Sequence, residues 1–135
     1  MIPSMIKNRN DLKDVLDADK TANEMTSILK RITSIKWKYL CILRKTEYYI
    51  NTSNSSKINR MIVRYCRYRL YRVGLKTGWT IGPNCFGKGL ILPHYGTIVV
   101  NGSARFGDDC VVQCGVNVSE NVRGGIISTL LLAPK

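Results

Sequence analysis

The sequence has little of what marks several large classes of protein. Its 135 residues include one histidine, two phenylalanines and nine acidic side chains. No run approaches the ~18 consecutive apolar residues of a transmembrane helix, and the opening MIPSMIKNRNDLKD has no apolar segment like that of a secretion signal. These absences predict a cytoplasmic chain that forms one domain, or one small domain with an appendage.

Cysteine is present five times but never in a CxxC pair. The closest pair is Cys110 and Cys114, and no second pair or histidine follows at the spacing of zinc ligands. Disulfides are rare in proteins that are not exported. We therefore expect free, buried thiols and no bound metal. Cys114 lacks a partner histidine or an activating motif, so we expect a small buried residue there rather than a nucleophile.

Positive charge is abundant and unevenly distributed. The net charge is +12, which is typical of proteins with a polyanionic partner. Residues 1–78 carry 17 basic and 6 acidic side chains, a net of +11, and residues 79–135 carry a net of +1. The two segments also differ in the periodicity of their apolar residues.

The segment 1–78 has the apolar spacing of three and four that is typical of helices. Asn10 or Asp11 is expected to cap a short first helix. A second helix is predicted over 35–50 and a third over 58–75, with Gly78 as its terminator.

The third helix carries arginines interleaved with Tyr65, Tyr68 and Tyr71. We favour a solvated face whose arginine and tyrosine stems cover a core or a subunit contact. One alternative is docking on nucleic acid, with the tyrosines stacking on bases. A membrane-surface role is weaker, because the apolar side carries no clear Trp/Phe/Leu wedge. Neither nucleic acid nor a membrane is therefore expected as a partner.

From residue 80 onward a six-residue period replaces the helical one. Each hexad has a first residue that is predicted to point inward and a small or β-branched fifth residue, with Gly and Asn at turns. A match that begins at Ile81 lies one residue out of phase, so one turn must be shortened or remodelled. The hexads begin at His94, Val100, Phe106, Val112 and Val118.

A period of six is typical of parallel β-helices, in which three hexads close one coil of about 18 residues. The sequence therefore predicts an α+β chain in three parts. These are a basic helical region over 1–78, β-helix coils over 79–122 and an irregular apolar tail over 123–135.

The stretch IGPNCFGKGLILPHYGTIVVNGSARFGDDC at 81–110 resembles the bacterial serine acetyltransferases, especially their relatives encoded near capsule and exopolysaccharide genes. The RKTEYY run at 44–49 is similar in layout. The resemblance implies a left-handed parallel β-helix preceded by helices, and a homotrimer. It also implies acetyl transfer from acetyl-CoA to the hydroxyl of L-serine or a similar acceptor. A sugar of a capsular or exopolysaccharide precursor is the alternative acceptor.

His94 aligns with the histidine that this family uses as a general base, a task that suits imidazole near neutral pH. It is the only histidine in the chain. The serine acetyltransferases have an aspartate just before it, where this chain has Pro93. That difference favours the capsule branch and leaves the acceptor open. Tyr95 and Asn101 are expected to contact substrate.

The resemblance identifies no acetyl-CoA-binding residue in this chain. Relatives continue for several more coils, which supply most of the acetyl-CoA cleft, whereas residues 80–122 make little more than two. Asp108 and Asp109 are expected to form a hydrated turn without a catalytic role. We expect a truncated member of the family, with an inactive assembly module as the alternative.

Overall fold

The structure is a computed structural model that describes residues 5–120 and the strand at 126–129. Four helices precede four short strands, so the chain is α+β, as predicted. The helices are α1 (Arg9–Ala22), α2 (Ile28–Thr33), α3 (Ile35–Thr52) and α4 (Lys57–Thr77), and the strands are β1 (Trp79–Ile81), β2 (Ile98–Val100), β3 (Asn117–Glu120) and β4 (Ile126–Thr129).

Polar side chains cap the helices at their N-termini. The cap of α1 is Asn8, whose side chain accepts a hydrogen bond of 2.9 Å from the backbone of Asp11. The predicted cap at Asn10 or Asp11 was therefore wrong by two or three residues. Helix α2 was not predicted, whereas α3 and α4 agree with prediction to within two residues. Gly78 ends α4 in the left-handed conformation, with φ of 84°.

The strands β1, β2 and β3 pair in parallel, and β4 is antiparallel to β3. Residues paired in parallel are 18 to 20 positions apart, close to the predicted coil length. The tail over 123–135 was predicted to be irregular, but four of its residues form β4. Its other residues lie outside the described part. The parallel pairs include Trp79 with Ile98, Val99 with Asn117, Phe86 with Phe106 and Ile91 with Val111.

Residues 79–118 cross back and forth so that β1, β2 and β3 stack in parallel, and this segment is called the coil below. Burial in this segment follows the predicted hexads from residue 98 onward. Phe106 and Cys110, the first and fifth residues of one hexad, are only partly buried against the core. The other first-position residues, Val100, Val112 and Val118, are buried, and so are the fifth-position residues Ala104 and Val116. This part of the predicted register is confirmed. The place of Val122 lies outside the described residues.

The helices and the coil share one hydrophobic core. The backbone N–H of Ile81 donates to the hydroxyl of Tyr39 in α3 at 3.2 Å. The Tyr39 ring meets Trp79 edge-on, with centroids 5.1 Å apart. A side chain at Gly74 in α4 would come within 2.5 Å of the Trp79 carbonyl oxygen. The close approach of α4 to β1 therefore requires glycine.

A buried ion cluster also joins the two parts. Arg44 of α3 is 1% exposed, and all five of its N–H groups have partners. They donate to Asp19 of α1 at 2.7 and 3.3 Å and to Glu47 at 3.1 Å. The other two reach the carbonyls of Phe86 at 2.9 Å and Gly87 at 2.5 Å.

The two carboxylates in this cluster accept further hydrogen bonds from the coil. Asp19 accepts from the backbone of Gly89 and Leu90 at 2.8 and 3.0 Å. Glu47 accepts from the backbone of Asn84 at 2.9 Å. Burial alone would lower the pKa of Arg44, but the neighbouring Glu47 and Asp19 raise it, so the guanidinium stays charged.

Over residues 5–120 and 126–129, no helix has both the length and the apolar character needed to cross a membrane.

Candidate functional site

The loop that carries His94 is longer than the loop stacked beside it. Ile91 pairs with Val111, and Val99 pairs with Asn117. The segment from Ile91 to Val99 is therefore two residues longer than the segment from Val111 to Asn117 that pairs with its ends. His94 lies in this longer loop and is exposed. The prediction that it occupies an inward hexad position was wrong, because the added residues displace it.

Bonds on both sides of His94 hold the loop. The Lys36 ammonium of α3 donates to the Pro93 carbonyl. The Gly96 backbone N–H donates to the Thr77 carbonyl at the end of α4, at 3.2 Å. Both bonds are made by backbone groups of the loop, and the imidazole takes part in neither. The main chain at His94 is therefore positioned, while its side chain faces solvent.

Tyr95, the next residue of the same loop, packs against Trp79 and Lys36. Its ring stacks on Trp79, with centroids 5.9 Å apart and planes 15° apart. The Lys36 ammonium lies 5.0 Å from the Tyr95 ring centroid, a cation–π distance. Tyr95 is still 50% exposed, so its remaining surface is open to a ligand. Trp79 is buried, and its indole N–H has no hydrogen-bond partner in the described part of the chain.

Cys114 is exposed, so the prediction that it is a small buried residue was wrong. A side chain at Gly96 would touch the Cys114 Cβ at 3.0 Å, which places Cys114 against the His94 loop in the next pass. All five thiols are free, as expected, but the prediction that they are buried was correct only for Cys85. Burial raises the pKa of Cys85 to about 11, so it remains protonated near neutral pH.

Asn101 occupies a different place from His94. Its side-chain oxygen accepts from the backbone and the hydroxyl of Ser103, both at 2.8 Å, and so forms a turn. Asn101 follows β2, whereas His94 and Tyr95 precede that strand. The structure therefore does not bring the three predicted site residues into one cavity.

Asn101 lines a groove of about 740 Å³ between α4 and the outer face of the strands. Neither His94 nor Tyr95 lines it. Its walls include Leu70, Tyr71 and Leu75 from α4 and Thr80, Val99 and Ser119 from β1, β2 and β3.

Asp108 and Asp109 lie in a turn stacked on the one before it. The Asp108 carboxylate accepts from the backbone of Lys88 at 3.1 Å, and Asp109 has a φ of 58°. Both therefore have a part in the turn itself. Among the residues described, no group of three or more His, Cys, Asp or Glu side chains is placed to hold a metal ion.

The structure adds residues that sequence reasoning missed. Lys36 was one of many lysines, and only its position in space links it to the His94 loop. Trp79 and Asp19 had no sequence signal, because their partners lie 16 residues or more away. Two members of the buried ion cluster, Arg44 and Glu47, lie in the RKTEYY run at 44–49.

Comparison of the chain with protein-family models, with curated proteins and with solved structures finds no match.

Proposed function

We propose that the chain is a serine acetyltransferase-like O-acetyltransferase, with His94 as the general base that activates a hydroxyl acceptor. The observation that carries the proposal is the position of this single histidine. It stands exposed on a loop that is anchored on both sides, at the edge of stacked parallel passes.

The same proposal takes the stacked passes as coils of a left-handed parallel β-helix. The parallel pairs 18 to 20 residues apart and the buried first and fifth hexad positions support coils. The hand, and assembly as a trimer, follow from the resemblance to the serine acetyltransferases. Sedimentation of the full chain tests the trimer.

In the proposed reaction the His94 imidazole takes the proton of the acceptor hydroxyl as its oxygen attacks the thioester carbonyl of acetyl-CoA. The tetrahedral intermediate then collapses and expels the coenzyme A thiolate, which receives the proton from the imidazolium. The products are an acetyl ester and free coenzyme A. Backbone N–H groups are the donors we expect at the oxyanion.

Two hydroxyl acceptors are candidates, and the residues around His94 bear on the choice between them. L-serine is the first candidate, by resemblance. A sugar hydroxyl is the second, and one observation favours it. Pro93 puts no carboxylate beside His94 to attract the amino group of serine. Trp79 and Lys36 lie against the Tyr95 ring, and the half of Tyr95 that stays exposed can contact either acceptor.

The experiment incubates the chain with acetyl-CoA and either L-serine or a panel of monosaccharides, and measures the acetylated acceptor by mass spectrometry. Direct product detection avoids thiol reagents, which would react with the exposed Cys114. Turnover that is lost in His94→Gln and kept in Cys114→Ser supports the proposal. Turnover that survives His94→Gln contradicts it. No turnover and no binding of acetyl-CoA would favour a non-catalytic assembly module.

A further inference from the structure

Helix α4 has two apolar faces. Its inner face contains the buried Leu70 and Val73, which belong to the core. Six further apolar or aromatic side chains of α4 are exposed. Tyr71 lines the groove beside the strands, and the other five share the outer face of the helix. Their exposed fractions are 71% for Ile58, 68% for Met61, 60% for Tyr65, 55% for Tyr68 and 64% for Leu75.

These five side chains form one stripe along the helix. At 3.6 residues per turn they fall within an arc of about 100°. The stripe lies on the side of α4 away from Leu70 and Val73, and it extends from the first turn of the helix to the last, where Leu75 also borders the groove beside the strands. An exposed apolar surface of this length marks an interaction site.

Basic side chains flank the stripe and also interrupt it, because Arg72 falls within the same arc between Tyr68 and Leu75. Helix α4 has seven basic residues and no acidic one. The ion pairs found within residues 5–120 involve only α1 and α3, so this charge has no ionic partner there. Two of the arginines instead lie over stripe tyrosines, Arg69 over Tyr65 and Arg72 over Tyr68, each 5.9 Å from the ring centroid. The basic residues are Lys57, Arg60, Arg64, Arg67, Arg69, Arg72 and Lys76.

Charge decides which occupant fits this face. A second copy of α4 would bring seven cations against seven, which is repulsive. A nucleic acid would use the arginines and the tyrosines but would leave Ile58, Met61 and Leu75 without a role. An anionic lipid surface uses both features, because cations pair with headgroups while apolar side chains enter the acyl boundary.

We propose that the outer face of α4 docks this chain on an anionic lipid surface, with the helix lying in the plane of the membrane. The amino-acid pattern alone weighed against a membrane, because no Trp/Phe/Leu wedge was recognised. In the structure the exposed side chains of Ile58, Met61 and Leu75, with those of the two tyrosines, form such an apolar wedge. The proposal is independent of acetyl transfer.

The test measures co-sedimentation of the full chain with phosphatidylcholine vesicles, with and without about one third phosphatidylglycerol. We expect binding to the anionic vesicles only, weakened by added salt. Replacing Ile58, Met61 and Leu75 together by serine should weaken binding at least tenfold, from the lost apolar burial alone.

The matched control replaces three equally exposed aliphatic residues of α2, Ile28, Leu29 and Ile32, by serine. It should bind like the wild type. All six sites are exposed, so both triple variants should fold, which thermal melts monitored by circular dichroism check. Four results would overturn the proposal: equal binding to neutral vesicles, equal loss in the α2 variant, binding to a labelled single-stranded oligonucleotide but not to vesicles, or a dimer that only the α4 variant disrupts.

Discussion

The helical and coil parts of the molecule are held by different kinds of interaction. In the coil, backbone hydrogen bonds join successive passes, and glycines allow the turns to stack closely. Where the helices contact the coil, long side chains form the contacts, and this region around Arg44 is called the joint below. Arg44 alone bonds to two carboxylates and two coil carbonyls. The coil should therefore be sensitive to added volume, and the joint to lost charge.

The joint is expected to give the largest effect on stability. Arg44→Met would leave Asp19 and Glu47 buried without their cation, a loss of about 3–5 kcal/mol in the free energy of unfolding. Urea denaturation measures it. The control is Lys20→Met, because the Lys20–Asp17 pair at 3.6 Å is solvent-exposed and should contribute less than ~1 kcal/mol. Equal losses in the two variants would mean that the buried cluster has no special role in joining the halves.

Stacking in the coil is tested by adding one methyl group at each of two glycines. A Cβ at Gly82 would collide with the backbone of Gly102, whereas a Cβ at Gly107 meets nothing within 4 Å. Gly82→Ala should cost about 1–3 kcal/mol, and Gly107→Ala should be neutral or slightly stabilising. Thermal melts compare the two. A stable Gly82→Ala variant would contradict the close stacking of these turns.

The contact between α3 and the His94 loop should affect activity more than stability. If His94 is the base, Lys36→Met removes one of the two anchors of its loop and should lower kcat about tenfold. Lys38→Met, on the exposed side of the same helix, is the control. Partial recovery in Lys36→Arg would separate positioning from folding. An unchanged kcat in Lys36→Met would remove Lys36 from the positioning of the loop.

The smallest expected effects concern the thiols. At pH 8 iodoacetamide should label Cys114 first and Cys85 far more slowly, because burial raises the pKa of Cys85 from 9.0 to about 11. The protonated thiol of Cys85 favours the fold below about pH 9. That contribution is lost as the pH rises through 11. Peptide mass spectrometry measures the labelling rate of each cysteine, and equal rates for Cys114 and Cys85 would contradict the burial of Cys85.

Much of the fold could be predicted because it depends on local periodicity. The spacing of apolar residues gave α3 and α4 to within two residues, and the six-residue period gave the buried positions at Val100, Val112 and Val118. The missed α2 has only six residues and no buried side chain, so it produces no apolar pattern.

The candidate site could be predicted less well, because it depends on contacts distant in sequence and on loop length. The two added residues between Ile91 and Val99 turn His94 outward, which a strict hexad count cannot show. Lys36 reaches Pro93 across 57 residues. The exposure of Ile58 and Met61 likewise depends on which face of α4 packs on the core.

The most direct test of the central claim is the acetyl-transfer assay with wild-type chain and His94→Gln at equal concentration. We predict an O-acetylated serine or sugar product from the wild type, formed about 10²–10⁴-fold more slowly by His94→Gln. Equal rates in the two proteins, or no product from any hydroxyl acceptor with acetyl-CoA bound, would contradict His94 as the general base of an acetyltransferase.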